Sequence, residues 1–180
     1  MFPRIFVSPL EHTSRAPRAG EEDGVTYNFT QKSDIEGGIS RREYIHYRQE
    51  KNSYFGLKIG TIDQIRKAGK IALIDLDMKD VALVKESMMV VKLIFVAPPS
   101  LPALDLRLKS LAIEPLPKIQ ARMITAKLEL DAAHADEHID KIVTNDNVEQ
   151  CCNRIVYQLD GWYPDFNFHE NDNEVEEGDA

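Results

Sequence analysis

Val91-Lys-Leu-Ile-Phe-Val-Ala-Pro-Pro-Ser100 reads as a strand that runs into the start of a helix. From Val91 to Ala97 the apolar residues are continuous apart from Lys92, rather than alternating, which fits a strand covered on both faces in a parallel sheet. The two prolines close it, because proline donates no N–H to a ladder. Ser100 is placed to cap a helix through Leu101, Leu104 and Leu108. Lys70 to Leu76 and Lys141 to Thr144 read as strands of the same kind. Helical patterns separate them. Thr61-Ile-Asp-Gln64 is a capping box, with Gly69 suited to the C′ position of the helix it opens. Pro115 and Pro117 break the chain before a helical stretch from Ile119 to Leu130. Asp146-Asn-Val-Glu149 reads as the capping box of a last helix through Ile155 and Leu159. Strands alternating with helices predict an α/β layered domain.

The chain has 180 residues, 43% of them hydrophobic, which suits one domain with an ordinary core. Its net charge of −8 argues against nucleic-acid or anionic-membrane binding, which need a basic surface. Six of the acids fall within His169 to Ala180, where there is no Lys or Arg. The body is therefore close to neutral, and the tail is expected to be disordered. Cys151 and Cys152 are adjacent, a spacing that fits neither a disulfide nor a zinc site. No apolar run is long enough to span a bilayer, and no signal core follows Met1. These features predict a cytoplasmic protein with no membrane partner.

The first sixty residues are polar, dotted with aromatics and interrupted by glycines. Val25 to Phe29 and Tyr44 to Tyr47 are short strand candidates in what reads as a small mixed lobe. Its most informative string runs from His12 to Phe29 and contains Thr13-Ser-Arg15, Arg18, Glu21, Gly24, Tyr27 and Phe29. Two arginines three apart on a loop can converge on one phosphate, because each presents a planar, permanently charged fork. A Tyr hydroxyl can add a donor, and Pro17 stiffens the loop between them. Taken bare, Arg-x-x-Arg equally fits an exposed polar face.

The whole string resembles the signature of the guanylate kinase family: Thr-Ser/Thr-Arg, basic, acidic, Gly, Tyr and Phe at the same intervals, departing only at Thr30. The resemblance continues through Ser53-Tyr-Phe-Gly56, Leu73-Ile-Asp-Leu-Asp77, Phe95-Val-Ala-Pro-Pro-Ser100, Arg107, Arg122 and Thr144-Asn-Asp146. It implies a parallel-sheet nucleoside monophosphate kinase-like core of the P-loop NTPase type, spanning residues 1–160. A small GMP-binding lobe would cover about residues 11–60, and an aromatic-acidic tail would follow from 161 to 180. Members phosphorylate GMP with ATP and Mg²⁺. By resemblance Arg15, Arg18 and Tyr27 hold the GMP phosphate, Asp77 lies near the base or the magnesium, and Arg107 and Arg122 approach the transferring phosphoryl group. That division of labour suits a reaction catalysed mainly by positioning and charge neutralisation.

The departures are as informative. No G-x-x-x-x-G-K-S/T motif occurs in the 180 residues, and Gly37-Gly38 lacks the Lys-Ser/Thr that would complete one. The expected core therefore lacks its first strand and helix, with the chain starting at Phe2-Pro3 near the end of that helix, and has an uncovered sheet edge. Glu11 stands where the family has a phosphate-binding Ser, a place where a carboxylate repels phosphate. His46 replaces the glutamate that reads guanine. Phe55 replaces a hydroxyl-bearing Tyr, Leu57 a Ser/Thr, and Leu111 a lid arginine. Tyr54 is expected on the opposite face of its strand from Phe55.

Other features read as structural. His134 and His138 suit a polar helix end, Met88-Met89 a core, and Cys151 or Cys152 a buried helix position. Trp162-Tyr-Pro-Asp-Phe166-Asn-Phe168 is expected to fold back on the body rather than serve as a docking segment. Three functional readings follow: a guanylate kinase whose ATP half is absent from this chain, a non-catalytic module binding a phosphorylated peptide through Arg15, Arg18 and Tyr27, or a relic without independent function. The first carries the family label, with no turnover by this chain alone.

Overall fold

The computed structural model describes residues 5–87, 89–166 and 168. The acidic tail, Met88 and the Phe2-Pro3 start fall outside them. The chain divides into two compact units, one up to Met89 and the other from Val90.

The first unit is built on a four-stranded sheet in the order β3 (Asn28–Phe29), β2 (His12–Thr13), β5 (Ser53–Lys58), β4 (Tyr44–Glu50). Strand β2 runs parallel to β3 and antiparallel to β5. Strands β4 and β5 form a hairpin, turned through Lys51 at φ 54° and Asn52, with an irregularity between Tyr44 and His46. Helix α1 (Lys32–Ser40) follows β3, and α2 (Ile59–Lys67) follows β5 directly. A separate parallel pair joins β1 (Phe6–Val7) to β6 (Ile71–Ala72). A 3₁₀ turn at Met78–Asp80 then leads into α3 (Val81–Glu86).

Sequence does not announce α1, because Gly37 and Gly38 are poor helix formers. Packing overrides propensity here. Ile35 is fully buried, and a Cβ on Gly38 would stand 2.7 Å from the Tyr44 ring. A Cβ on Gly56 would stand 2.8 Å from the same ring, so Tyr44 lies flush against two glycines. The core continues through Ile45, Phe55, Leu57, Ile62, Val81 and Val84.

The second unit pairs β7 (Ile94–Ala97) in parallel with β8 (Lys141–Thr144). Between them run α4 (Leu101–Ser110) and α5 (Leu116–Ala135), and α6 (Val148–Trp162) packs on β8. Ser100 caps α4 as expected, accepting from Ala103 N at 3.2 Å. Three boundaries differ from expectation. Helix α5 starts at Leu116, because Pro117 fits a first turn and initiates the helix rather than breaking the chain. Asn147, not Asp146, caps α6, accepting from Gln150 N at 3.1 Å. Helix α2 starts before Thr61, at Ile59, with no side-chain cap. Gly69 fulfils its expected role at φ 71°.

Lys141 to Thr144 is a strand with the predicted limits, whereas only Ile71–Ala72 and Ile94–Ala97 pair within the two longer apolar runs. Coverage on both faces fails as well: Leu73 is 59% and Val96 47% exposed. The sheets that hold these runs, β1–β6 and β7–β8, are each two strands wide among the described residues, too narrow to shelter both faces. The aromatic segment does fold back on its own unit, since Phe168 is buried and Lys92 Nζ lies 5.2 Å from the Trp162 ring centroid. Cys151 is buried and Cys152 exposed.

Candidate functional site

The loop that carries Arg15 and Arg18 leaves β2 at Thr13, the most buried polar residue of the lobe. Thr13 Oγ1 donates to Tyr54 O at 3.0 Å and accepts from Arg15 N at 3.2 Å. Ser14 N donates to the same carbonyl, and Tyr54 N donates back to Ser14 Oγ at 2.9 Å. Thr13-Ser14 thus fastens the loop to β5 with backbone and side chain together. Beyond it Gly20 (φ 83°) and Gly24 (φ 74°) take left-handed turns that other residues disfavour. Asp23 Oδ1 accepts from Phe29 N at 2.8 Å and returns the chain to β3.

Arg15 is oriented on three sides. Glu21 accepts from its Nη1 and Nη2 at 2.8 and 2.9 Å. Its guanidinium carbon lies 5.5 Å from the Tyr27 ring centroid and 5.9 Å from that of Phe29. Glu21 also accepts from Arg18 N at 2.7 Å, so one carboxylate shapes the whole turn. Those bonds, Arg15's first and Arg18's second, bring the Glu21 carboxyl down to about 2. The Arg18 side chain is exposed and makes no hydrogen bond or ion pair among the described residues. The structure therefore brings Arg15 and Tyr27 together and leaves Arg18 beside them on the same loop.

The aromatic contacts extend past Tyr27. Its ring meets Phe55 edge-on at 5.9 Å, and the Arg48 guanidinium lies 4.7 Å from the Phe55 centroid. Arg48 Nη1 donates to Glu11 Oε1 at 2.6 Å and Nε to Glu50 Oε1 at 2.9 Å. Hydrogen bonding to Glu11 raises the Arg48 pKa above its already high value. Glu11 is not an isolated negative charge in the lobe: Arg48 neutralises it, and His46 Nε2 stands 3.7 Å from the same oxygen. Sequence reasoning missed Arg48 because its partner lies 37 positions away. The available signal was its place at i+2 from His46, on one face of β4. Tyr54 packs apart from Phe55, with Lys32 Nζ 5.6 Å from its ring centroid.

Asp77 is exposed and pairs with Lys79 Nζ at 2.7 Å, with no hydrogen bond or ion pair to the arginine loop among the described residues. Hydrogen bonding to Asp77 raises the Lys79 pKa, and the positive charge of Arg48 offsets a part of that rise. In the second unit Arg107 donates to Asn145 O and Asp146 O at 2.8 and 3.0 Å, tying α4 to the end of β8. Arg122 pairs with Glu114 at 2.6 Å. Both forks are thus engaged inside the unit, and among the described residues no hydrogen bond or ion pair joins them to each other. His134 Nδ1 meets Leu130 O, and His138 pairs with Asp136. An open cleft of about 650 Å³ lies along β8 and α6, but its Arg154 is engaged by Asp146, Thr144 O and Gln150. Among the described residues no three His, Cys, Asp or Glu side chains converge as a metal cage, and no helix is long and apolar enough to cross a membrane.

Comparison with known proteins bears on this geometry. The family model described as guanylate kinase matches residues 1–160. The chain is 32% identical to guanylate kinase 1 of Oryza sativa subsp. japonica over 168 residues, covering 92% of this chain and 44% of that protein. It is 30% identical to guanylate kinase of Schizosaccharomyces pombe, over 78% of this chain and 70% of that one. The chain thus spans less than half the length of the rice relative. A crystal structure of guanylate kinase from Anaplasma phagocytophilum superposes with a TM-score of 0.59 at 23% identity, covering 87% of this chain and 76% of that one, a likeness of fold.

Proposed function

The chain belongs to the guanylate kinase family, and from that premise we propose that its first unit binds the phosphate of GMP through Arg15, Arg18 and Tyr27, without supporting turnover by these 180 residues alone. The observation that carries this reading is the Arg15 guanidinium, clamped by both oxygens of Glu21 over the Tyr27 ring. An arginine held in this way loses little freedom on meeting a phosphate, so binding energy is conserved for the ligand. Arg18, on the same clamped turn, supplies the second fork. Asp77 is assigned to the base or magnesium side.

ATP and Mg²⁺ are the family's co-substrates, and the residues present do not fit a complete site for them. The lysine and glycine-rich N–H cradle of a phosphate-binding loop do not occur in the sequence. Arg107 and Arg122, the assigned catalytic pair, are engaged by Asn145, Asp146 and Glu114. These residues by themselves therefore do not assemble a phosphoryl-transfer site.

A second reading, a module for a phosphorylated protein partner, is favoured by the guanine side of the lobe. His46, Phe55 and Leu57 are 7%, 6% and 1% exposed. Two of the three offer no hydrogen-bonding group to a base, whereas the Arg18 side chain, unengaged among the described residues, keeps its fork for phosphate. Calorimetry with GMP and with a phosphoserine peptide separates the readings. Saturable GMP binding and no ADP release in a coupled assay with ATP and Mg²⁺ support the first. Peptide binding alone supports the second. Turnover lost on Arg18→Ala would overturn the claim of inactivity.

A further inference from the structure

The lobe holds a second oriented arginine that the arginine loop does not account for. Arg15, Tyr27, Phe55 and Arg48 form a continuous ladder, cation on ring, ring on ring, ring under cation, at 5.5, 5.9 and 4.7 Å. The two ends are alike. Each guanidinium lies on an aromatic face and is fixed by a glutamate, Arg15 by Glu21 and Arg48 by Glu11. Arg48 differs in one respect that points outward: Nη1 and Nε are bonded to Glu11 and Glu50, whereas Nη2 has no hydrogen-bond partner among the described residues. Its side chain is 37% exposed, so the fork is reachable from solvent. An arginine fixed at two nitrogens with a third left over is a prepared donor for an anion. The ring beneath it, Phe55, has no hydroxyl of its own with which to meet one.

We propose that Arg48 is a further phosphate-binding residue of this lobe, donating from Nη2 to a phosphomonoester bound beside the Phe55 ring, with Glu11 as the resting counter-ion that limits its affinity. The inference rests on the phosphate-binding reading of the arginine loop. It assigns Glu11 and Glu21 opposite roles. Glu21 makes two bonds to Arg15 and one to Arg18 N, so it builds the turn. Glu11 makes one bond to an arginine that Glu50 and Phe55 also hold, so its main effect on a ligand is charge. His46, 3.7 Å away, faces the same oxygen and adds its own charge only when protonated.

The test is calorimetry of the full chain with GMP, ribose 5-phosphate and guanosine, comparing wild type, Arg48→Ala, Arg48→Lys and Glu11→Gln, with circular dichroism checking each fold. Arg48→Ala is expected to weaken GMP and ribose 5-phosphate alike by roughly ten-fold, the scale of one charge-assisted hydrogen bond, with Arg48→Lys intermediate. Glu11→Gln keeps an accepting oxygen for Arg48 and removes a charge, so both phosphates bind about three- to five-fold tighter. Should Arg48→Ala fail to fold, the Glu11→Gln result decides. Unchanged phosphate affinity in the variants, or a loss confined to GMP with ribose 5-phosphate unaffected, overturns the role of Arg48 while leaving the arginine loop standing. Absence of wild-type binding to both phosphates overturns the two readings together.

Discussion

Glu21 grips Arg15 with both carboxylate oxygens, at 2.8 and 2.9 Å, and holds the backbone N–H of Arg18 at 2.7 Å. One acidic side chain thereby fixes the Arg15 guanidinium and the backbone of Arg18. Replacing it removes a negative charge near the ligand but also releases the turn, and here the lost orientation dominates. Glu21→Gln is expected to weaken GMP binding by roughly ten-fold, since the ordering cost then falls on the binding step. Calorimetry measures it, and faster amide exchange at Arg18 should accompany the loss.

The same pair sets a pH limit on the loop. With its carboxyl brought down to about 2 by Arg15 and Arg18, Glu21 contributes stability that is complete above the ordinary glutamate range and is lost as pH falls toward 2. His12 adds a second acid-sensitive element. Burial first, and the charge of Lys58 second, lower its pKa from 6.5, so the folded lobe binds fewer protons there than the unfolded chain. Its contribution is complete above about pH 6.5 and declines as pH falls through the depressed value. NMR titration should show the Glu21 carboxyl still ionised at pH 4 and the His12 midpoint below 6.5. A His12 that titrates at or above 6.5 contradicts the account.

Gly56→Ala tests the packing around Tyr44. A Cβ there would stand 2.8 Å from the Tyr44 ring, 3.0 Å from Tyr47 Cβ and 3.1 Å from His46 O, and one of these contacts is backbone. The overpacking should cost about 1–3 kcal/mol in urea unfolding. Gly60→Ala, with nothing within 4 Å of its Cβ, serves as the control and should be near neutral.

Two helix caps in the second unit give a matched pair of predictions. Ser100 accepts from Ala103 N at 3.2 Å and Asn147 from Gln150 N at 3.1 Å. Alanine at either position should cost about 1 kcal/mol, the usual value for losing a side-chain cap. Thr61→Ala should cost less, because α2 already starts at Ile59 and Thr61 caps nothing.

These contrasts show what sequence could and could not carry. The Ser100 cap, the Gly69 turn and the β8 limits were legible because each depends on a few adjacent residues. The string from Thr13 to Phe29 was legible as one local unit because its residues lie close in sequence, and the fold does bring Arg15, Glu21 and Tyr27 together. Helix α1 was not, since Gly38 is there to let Tyr44 approach, a reason that lies six positions on. The Glu11–Arg48 pair was invisible for the same cause: Glu11 alone reads as a charge hostile to phosphate, and only the folded sheet brings its partner to 2.6 Å. Arg107 and Arg122 were legible as arginines in family positions. Their present partners, two carbonyls beyond β8 and the side chain of Glu114, follow from tertiary placement that spacing does not encode.

The central claim is that the first unit is a working phosphate site for GMP, and the most direct measurement is a GMP titration of wild type against Arg15→Ala by calorimetry. Wild type should show one saturable site, and Arg15→Ala an affinity at least about ten-fold lower, because a charge-assisted fork to phosphate is lost. GMP that binds wild type and Arg15→Ala equally, or binds neither, contradicts the claim.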